Sequence, residues 1–321
     1  MKILVAGLHA PNAPRLAALL GAGFDVQPVK ALPPQGAIDA DVLVTNRLTA
    51  DEASRFGGRL VQVPGAGVDA IAMDAVPAAC QVCNVHGHEI PIAEYVVHAL
   101  LEHFLEPWRV PTVLDEKAWP AVYADRPYHR EAYGNNVAIL GYGHIGEEIA
   151  RRVQALGMGV IAVTRSGKVK STVEPNEVVT TRELEAVLDR CAALVLCCPL
   201  TDETRGRVGD AALRALGPQG LLVNVARAEV VDEAALYDNL STGRLGRAVL
   251  DVWYRYPAAG ETSVTPARLP LHGLPNVRGT PHLSALTPGL LERRYAVIAA
   301  NIRALQAKTP LVHVLKAGAA A

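Results

Sequence analysis

The stretch VAILGYGHIGEEIARRV, residues 137–153, decides the fold of this chain. Four apolar residues lead into glycines spaced as G-x-G-x-x-G, and a helical pattern follows. The first glycine of such a unit permits a tight turn, the second lets the backbone approach a pyrophosphate, and the third lets helix pack on strand. The spacing alone is weak evidence, but a second apolar run at 160–163 completes a βαβ unit of about 30 residues. We therefore predict a dinucleotide site formed by Gly141, Tyr142, Gly143, His144, Ile145 and Gly146.

The end of the second strand of this unit selects between the two nicotinamide cofactors. An Asp or Glu there accepts hydrogen bonds from the ribose 2′-hydroxyl of NAD, whereas an Arg accommodates the 2′-phosphate of NADP. This chain has Thr164, Arg165 and Ser166 at that point, and its next acidic residue is Glu174. The sequence thus favours NADP(H). NAD(H) is the alternative, in which Arg165 is only a solvated side chain.

Length and composition limit the remaining choices. A chain of 321 residues is long enough for two domains, and half of its residues are hydrophobic. The formal net charge of −1 gives no electrostatic reason to expect a nucleic acid or an anionic membrane as partner. We find no apolar run of the roughly 18 residues that a membrane span needs. Five cysteines, an odd number, favour reduced thiols, so we expect a cytoplasmic protein.

One cluster in the sequence could bind a metal. Cys80, Cys83, His86 and His88 lie together in CQVCNVHGH, and a C-x-x-C pair with nearby histidines can bind zinc. However, two valines alternate with these residues as in a strand, and no second Cys/His pair lies at the spacing of a zinc finger. We therefore predict no metal site.

Apolar runs alternate with helical stretches in both halves of the chain. The predicted strands are residues 3–6, 42–45, 60–63, 137–140, 160–163, 193–197, 221–224 and 248–252. The predicted helices are residues 15–21, 50–56, 92–105 and 288–306. Residues 257–281 are rich in Pro and Gly and are predicted to form a long loop. The alternation predicts an α/β fold with open parallel sheets flanked by helices.

Four further motifs accompany the glycine turn in a fixed order. They are VPGAGVD at 63–69, IPIAEYVVHALL at 90–101, VNVARAEVVDEAAL at 223–236 and TPHLSALT at 280–287. Together with the glycine motif they resemble the D-isomer-specific 2-hydroxyacid dehydrogenases over essentially the whole chain. The resemblance implies two Rossmann-like domains with a cleft between them, NAD(P) on the central domain, and usually a homodimer. The implied domains are a flavodoxin-like substrate domain, residues 1–104 and 284–321, and an inserted dinucleotide-binding domain, residues 105–283.

The resemblance assigns the chemistry to two side chains. Arg227 matches the arginine of the family's N-x-x-R-G signature, although Ala228 replaces the glycine, and His282 matches the histidine of T-P-H. An arginine offers a planar, permanently charged fork for the carboxylate and carbonyl of a 2-oxo acid. A histidine can give a proton to the forming alkoxide or remove it in the oxidative direction.

Further residues are predicted at the substrate and at the cofactor. The backbone N–H groups of the small residues Gly65, Ala66, Gly67 and Val68 are expected to complete the carboxylate site. The resemblance also places three residues along the cofactor: Pro199, Thr204 and Asp251.

The chain departs from the family pattern at the acid that pairs with the histidine. The family's D-V-[FW]-x-x-E-P reads DVWYRYP at 251–257, so Tyr256 stands at the Glu position. A carboxylate beside an imidazole raises the pKa of the imidazole. A tyrosine can hydrogen-bond a ring nitrogen but brings no charge at pH 7. Tyr256 is thus a candidate catalytic residue of open role, and Glu89, His86 or His88 could supply the missing charge instead.

These residues predict an NADPH-preferring reductase of small 2-oxo acids such as glyoxylate or hydroxypyruvate. Formate oxidation is one alternative, because it releases a hydride without an O–H proton and the formate dehydrogenase branch replaces the same Glu by Gln. Against it, His88 stands where that branch has Asn. The other alternative is a non-enzymatic, NAD(P)-sensing interaction protein, because corepressors of this fold keep the Arg and the His. A turnover assay separates these functions.

Overall fold

The computed structural model describes residues 1–109, 115–258 and 260–318. Its strands are β1 (Lys2–Ala6), β2 (Asp25–Val29), β3 (Val42–Val44), β4 (Leu60–Gln62), β5 (Gln81–Cys83), β6 (Asn136–Leu140), β7 (Gly159–Thr164), β8 (Glu177–Thr180), β9 (Ala193–Leu196), β10 (Leu221–Asn224), β11 (Arg247–Leu250), β12 (Val277–Gly279) and β13 (Val314–Lys316). Its α-helices are α1 (Ala13–Leu20), α2 (Ala50–Arg55), α3 (Glu89–Leu105), α4 (Ala118–Ala124), α5 (His144–Ala155), α6 (Leu184–Leu188), α7 (Asp210–Leu216), α8 (Glu233–Ser241) and α9 (Pro288–Ala307). None of these helices is long and apolar enough to cross a membrane.

The chain divides into two compact units. The first contains Met1–His88 and Leu286–Ala321, and the second contains Glu89–Ala285. The sequence places the first boundary after the long helix α3, whereas the structure places it before that helix. The reason is packing, because α3 buries Ile92, Val96 and Leu100 in a core that it shares with α5 and the second sheet.

The first unit is built on a six-stranded sheet in the order β13-β5-β4-β3-β1-β2. Its strands pair in parallel except β13, which pairs antiparallel to β5. The order β2-β1-β3-β4-β5 is that of the flavodoxin-like fold, as the family resemblance implies. One face is covered by α1 and α9, where Leu16 and Tyr295 are completely buried against Ile3 and Val5.

The second unit is built on a seven-stranded parallel sheet in the order β12-β11-β10-β9-β6-β7-β8. This is the Rossmann order 3-2-1-4-5-6 with one further edge strand, β12. From β6 the strands are added outward in one direction as far as β8, and from β9 in the opposite direction, so the strand order switches between β6 and β9. In such sheets ligands bind in the crevice beyond the carboxyl ends of the strands at this point. The predicted glycine turn follows β6 and therefore lies there.

The eight predicted strands lie within one or two residues of their predicted positions. Buried β5 lies in the cysteine segment, where the sequence indicates only a strand-like alternation, and the exposed edge strands were not predicted. Strands β2, β8, β12 and β13 contain few buried residues, so they carry no apolar run in the sequence. Strand β12 lies inside the segment 257–281, and the prediction of one long loop over that segment was wrong at its end. A strand that only completes a sheet edge needs backbone pairing and little burial.

Candidate active site

The glycine turn between β6 and α5 is shaped by close contacts that leave no room for side chains. Gly141 has φ +98°, and a Cβ there would lie 2.7 Å from the backbone of Cys198. A Cβ on Gly146 would lie 2.4 Å from the carbonyl oxygen of Gly141. A Cβ on Gly143, in contrast, would have no atom within 4 Å. The first and third glycines are thus required by packing inside the protein, and the second faces open space where a ligand backbone could lie.

The N-terminus of α5 adjoins that space. Its N-cap residue is Gly143, so no side chain caps the helix. A 12-residue helix presents its first-turn N–H groups and the positive end of its dipole to an anion. The Tyr142 hydroxyl donates to the Val173 carbonyl at 2.9 Å and ties the turn to the segment after β7. These features fit the pyrophosphate of a dinucleotide.

The loop after β9 faces the glycine turn. The Cys197 thiol donates to the Gly141 carbonyl at 2.9 Å. The Thr204 hydroxyl donates to the Pro199 carbonyl at 2.8 Å and accepts from the Thr201 N–H at 2.8 Å. The predicted cofactor residues Pro199 and Thr204 therefore lie in one tied turn at the carboxyl edge of the sheet. Burial raises the pKa of the Cys198 thiol to about 11, which disfavours the reactive thiolate.

Residues 164–166 close β7 at the same edge of the sheet. The Thr164 hydroxyl donates to the Lys168 carbonyl at 3.3 Å, and Arg165 and Ser166 are exposed. Within the described ranges, the Arg165 guanidinium makes no hydrogen bond or ion pair. Its charge is thus available to an anionic group at the ribose end of a bound cofactor.

Asp251 anchors the loop that carries the predicted catalytic histidine. Its side chain is buried and accepts three hydrogen bonds, from the Thr280 hydroxyl at 2.7 Å, the Leu283 N–H at 2.8 Å and the Ser284 N–H at 3.0 Å. Because Thr280 gives its hydrogen to Asp251, the Tyr95 hydroxyl 2.7 Å away is the donor to Thr280. The structure thus gives Asp251 a structural role, and its contact with the nicotinamide stays a prediction.

The histidine itself has an unusual backbone conformation. His282 has φ +57°, in the left-handed region that residues other than glycine rarely adopt. Such a conformation costs about 1–3 kcal/mol and persists only where the surroundings enforce it. The two N–H groups that follow His282 bind Asp251, and its own N–H binds the Thr280 carbonyl at 3.0 Å. These bonds hold the strained residue in place.

Tyr256 contacts the histidine where the sequence predicts a partner. Its hydroxyl oxygen lies 3.0 Å from His282 Nδ1 and accepts the Trp253 N–H at 3.2 Å. Trp253 in turn donates its Nε1–H to the Thr280 carbonyl at 2.8 Å. Trp253 therefore hydrogen-bonds both the histidine loop, at Thr280, and the histidine's partner, Tyr256. With Nδ1 against Tyr256, Nε2 is the ring nitrogen left to act on a substrate.

The electrostatic environment lowers the pKa of His282. Desolvation by the surrounding protein is the largest cause, Asp251 acts in the opposite direction, and Arg227 lowers the pKa further. Burial raises the pKa of the Tyr256 hydroxyl above its usual value, so this hydroxyl stays neutral. The lowered pKa favours the neutral imidazole, as expected when no carboxylate lies at its Nδ1.

Arg227 lies close enough to both groups for its charge to affect their pKa values. It follows β10 in extended conformation, is half-buried, and donates from Nη1 to the Ala226 carbonyl at 2.8 Å. Buried Asn224 fixes this turn, because its amide donates to the Arg227 carbonyl at 3.0 Å and accepts the Ala226 N–H at 3.0 Å. The second unit therefore brings Arg227, Tyr256 and His282 together.

The predicted carboxylate loop belongs to the first unit, where it follows β4. Three of its carbonyls accept hydrogen bonds: Gly65 from the Val85 N–H, Ala66 from the Asn84 amide and Val68 from the Ile71 N–H. These bonds fix the path of residues 65–68, including Gly67, within that unit. Their action on the same substrate as Arg227 stays a prediction.

The cluster considered for zinc has the properties of a core segment. Cys80 and Cys83 are completely buried, and burial raises the pKa of each thiol to about 11, against the thiolate that zinc requires. His86 stacks on His88 with ring centroids 6.1 Å apart. Among the residues that the structure describes, no group of three or more His, Cys, Asp or Glu side chains is arranged to hold a metal ion.

Three structural residues of the site were missed in the sequence. Asn224, Trp253 and Thr280 orient the catalytic candidates without facing a substrate themselves. Asn224 is the last residue of β10 and Thr280 directly follows β12, and each lies two or three residues before a candidate. A polar residue at the carboxyl end of a buried parallel strand is the signal that could have indicated them.

Comparison with known proteins places the chain among its relatives. Residues 100–284 match the family model for the NAD binding domain of D-isomer specific 2-hydroxyacid dehydrogenases. A glyoxylate/hydroxypyruvate reductase of Arabidopsis thaliana is 32% identical over 192 residues, which cover 60% of this chain but only 55% of that protein. An (S)-sulfolactate dehydrogenase of Chromohalobacter salexigens is 30% identical over 82% of this chain and 83% of its own length.

A solved structure extends the similarity to the whole fold. An NADPH-dependent glyoxylate/hydroxypyruvate reductase of Sinorhizobium meliloti, solved with NADP and sulfate, is 25% identical, covers 98% of both chains and has a TM-score of 0.76. The family model matches more than half of this chain, and the sulfolactate dehydrogenase aligns along most of it. The chain therefore belongs to the D-isomer specific 2-hydroxyacid dehydrogenase family.

Proposed function

We propose that this protein is an NAD(P)-dependent 2-hydroxyacid dehydrogenase that reduces small 2-oxo acids of the glyoxylate or hydroxypyruvate type. The observation that carries the proposal is the convergence of Arg227, Tyr256 and His282 in the unit that also holds the glycine turn. The two named reductases among the relatives support this substrate class. The sulfolactate dehydrogenase indicates that the family also accepts other small, acidic 2-hydroxy acids.

The residues of the second unit fit a dinucleotide cofactor. The open space at Gly143 and the uncapped start of α5 suit its pyrophosphate. The cofactor, when bound, supplies or accepts the hydride. NADP(H) is the preferred form in this proposal, because exposed Arg165 lies at the end of β7 and carries an unneutralised charge.

The protein side chains handle the substrate's charge and its proton. Arg227 holds the carboxylate and polarises the carbonyl with its permanently charged fork. Protonated His282 donates from Nε2 to the oxygen that becomes the hydroxyl, while its Nδ1–H donates to the Tyr256 oxygen. In the oxidative direction, neutral His282 accepts the proton at Nε2. Because the pKa of His282 is lowered, reduction needs a more acidic pH than an enzyme with Glu at this position.

Formate oxidation is the second candidate, and the lowered pKa of His282 favours it. A neutral imidazole gives up no proton, and the conversion of formate to carbon dioxide requires no proton transfer from the enzyme. The third candidate, a non-enzymatic protein that senses NAD(P), keeps the same site residues but shows no turnover. The first two candidates differ in substrate and the third in the absence of turnover, so one assay panel separates them.

Two finer features belong to the same proposal. We propose a homodimer, because Trp119, Tyr123, Tyr128 and Tyr133 are each at least half exposed in one segment of the second unit. Exposed aromatic surface of this kind marks protein interfaces. We propose a cytoplasmic location because all five cysteines are free thiols. Light scattering on the purified protein measures the oligomeric state, and cell fractionation measures the location.

The decisive experiment is a panel of glyoxylate, hydroxypyruvate, 3-sulfopyruvate and formate, assayed with NADPH, NADH and the oxidised cofactors from pH 5 to pH 9. We expect reduction of a 2-oxo acid, fastest at acidic pH, with NADPH preferred. Turnover of formate alone would support the second candidate. Cofactor binding without any turnover would support the third and contradict the proposal.

A further inference from the structure

A cavity of about 410 Å³ lies behind the acid/base pair, inside the second unit. Its walls are mostly apolar and include Trp253, Tyr256, Val264 and three prolines, and Arg255 is the one cation among the described residues that line it. The volume lies within the range of about 300–1,000 Å³ that is typical of small-molecule sites. Such sites combine apolar walls with a few polar groups that orient the ligand.

The cavity is distinct from the proposed substrate position. Neither Arg227 nor His282 lines it. Tyr256 forms part of its wall while its hydroxyl points to His282 Nδ1, so the tyrosine separates the cavity from the reacting side of the imidazole. A substrate at Nε2 and a ligand in the cavity would therefore lie on different sides of one residue pair.

The charge in the cavity indicates what kind of ligand it would take. The backbone N–H of Arg255 is fixed to the Pro266 carbonyl at 2.9 Å, and its exposed guanidinium makes no hydrogen bond or ion pair within the part of the chain that the structure describes. An arginine fork pairs best with a carboxylate or a phosphate. With a single cation beside aromatic and proline walls, the balance favours one carboxylate on an apolar body.

We propose that this cavity binds a small apolar monocarboxylate, with the carboxylate on Arg255 and the hydrocarbon against Trp253 and Tyr256. Aromatic rings give large apolar contact at low entropic cost, so an aryl or branched alkyl group fits best. The ligand would pack on the residue that hydrogen-bonds His282 and would restrict its hydroxyl. Any effect of this ligand on turnover rests on the proposed function, whereas binding of the ligand in the cavity does not depend on that function.

Titration calorimetry with phenylacetate, on the full-length protein without cofactor, tests the site. We expect phenylacetate to bind, and the neutral isostere phenylacetamide to bind about tenfold more weakly, because it lacks the charge-assisted bond. Saturating glyoxylate should leave phenylacetate binding unchanged. Glyoxylate lacks the apolar body that the cavity walls would contact, so strong competition would indicate that phenylacetate occupies the proposed substrate position. This holds whether or not the protein turns glyoxylate over.

Two variants and a control locate the site. Arg255→Gln should weaken phenylacetate binding about tenfold, and Val264→Trp should abolish it by filling the cavity, with melting curves confirming that each variant is folded. Arg182→Gln removes another exposed arginine of the same unit and should change nothing. The inference is overturned if phenylacetate does not bind by about 20 mM, if Arg255→Gln binds it as well as the parent, or if glyoxylate displaces it.

Discussion

The glycine turn and the histidine loop, both in the second unit, are built by opposite means. At residues 141–146 the shape depends on side chains that are missing, since a Cβ at the first or third glycine would overlap backbone atoms. At residues 280–284 the shape depends on a side chain that is present, since buried Asp251 accepts three hydrogen bonds from that loop. At the glycine turn, steric overlap excludes larger side chains. At the histidine loop, hydrogen bonds stabilise one backbone conformation.

This difference determines how each region should respond to mutation. A steric requirement belongs to the fold, so its loss should reduce stability together with cofactor binding. The hydrogen-bonded loop holds a catalytic candidate next to a sheet that folds without it. Loss of its hydrogen bonds should therefore reduce activity more than stability. The following variants separate the two cases.

The largest effect is expected for Gly141→Ala. The residue has φ +98°, and the new Cβ would lie 2.7 Å from the Cys198 backbone. The left-handed conformation costs about 1–2 kcal/mol and overpacking about 1–3 kcal/mol more. We expect the free energy of unfolding in urea to fall by about 2–5 kcal/mol.

Gly143→Ala is the matched control for this variant. The new methyl group would meet no atom within 4 Å in the protein, but it would occupy the space assigned to the pyrophosphate. We expect nearly unchanged stability and strongly weakened NADPH binding, measured by fluorescence titration. Equal loss of stability in both variants would contradict the division of roles among the glycines.

The next largest effect is expected for Asp251→Asn. The amide can still accept on one oxygen, but its NH₂ group would face the N–H of Ser284 or of Leu283 and leave a donor unpaired. The strained backbone of His282 would then relax and displace the imidazole. We expect kcat to fall about a hundredfold, because displacement of a catalytic group by about 1 Å has an effect of that size.

Folding of the Asp251→Asn variant should be affected less than its activity. The circular dichroism spectrum is expected to remain close to that of the parent, because the sheet and the glycine turn do not depend on this carboxylate. Asn224→Asp, at the Arg227 turn, gives a comparison at another buried polar anchor. If Asp251→Asn keeps full activity, the hydrogen bonds to residues 283 and 284 are not what positions the histidine.

The same contrast explains which parts of the molecule could be predicted from the sequence. The glycine spacing and the buried strands around it are local patterns, and the structure has them within one or two residues of the predicted places. Arg227 and His282 were found through motifs that surround them. The role of Asp251, in contrast, depends on contacts with residues about 30 positions away, which no local pattern reveals. The positive φ of His282 is equally invisible, because the sequence gives no glycine or asparagine there.

The third prediction concerns Tyr256, the residue that departs from the family pattern. Tyr256→Glu places a carboxylate near Nδ1 of His282, which stabilises the protonated imidazole. Reduction requires that protonated form, so its rate falls as the pH rises through the pKa of His282. We expect the inflection of the reductive kcat profile to move to higher pH by about 1–2 units.

Tyr256→Phe is the control, because it removes the hydroxyl and keeps the ring. It should lower kcat by loss of the Nδ1 partner, and it should not move the inflection upward. A Tyr256→Glu profile that coincides with that of the parent would mean that another acidic group, such as Glu89, already supplies the charge.

The smallest effect is expected at Arg165, where an exposed side chain meets one phosphate of a large cofactor. Arg165→Gln removes the charge from the end of β7 without disturbing a hydrogen bond of the folded chain, so stability should not change. We expect the ratio of kcat/KM with NADPH to kcat/KM with NADH to fall about tenfold, through a higher KM for NADPH. Lys30→Gln makes the same change in net charge at another exposed position and should leave the ratio unaltered. If both variants keep the ratio of the parent, the cofactor preference does not come from Arg165. The two exposed lysines of the same turn, Lys168 and Lys170, are then the next positions to test.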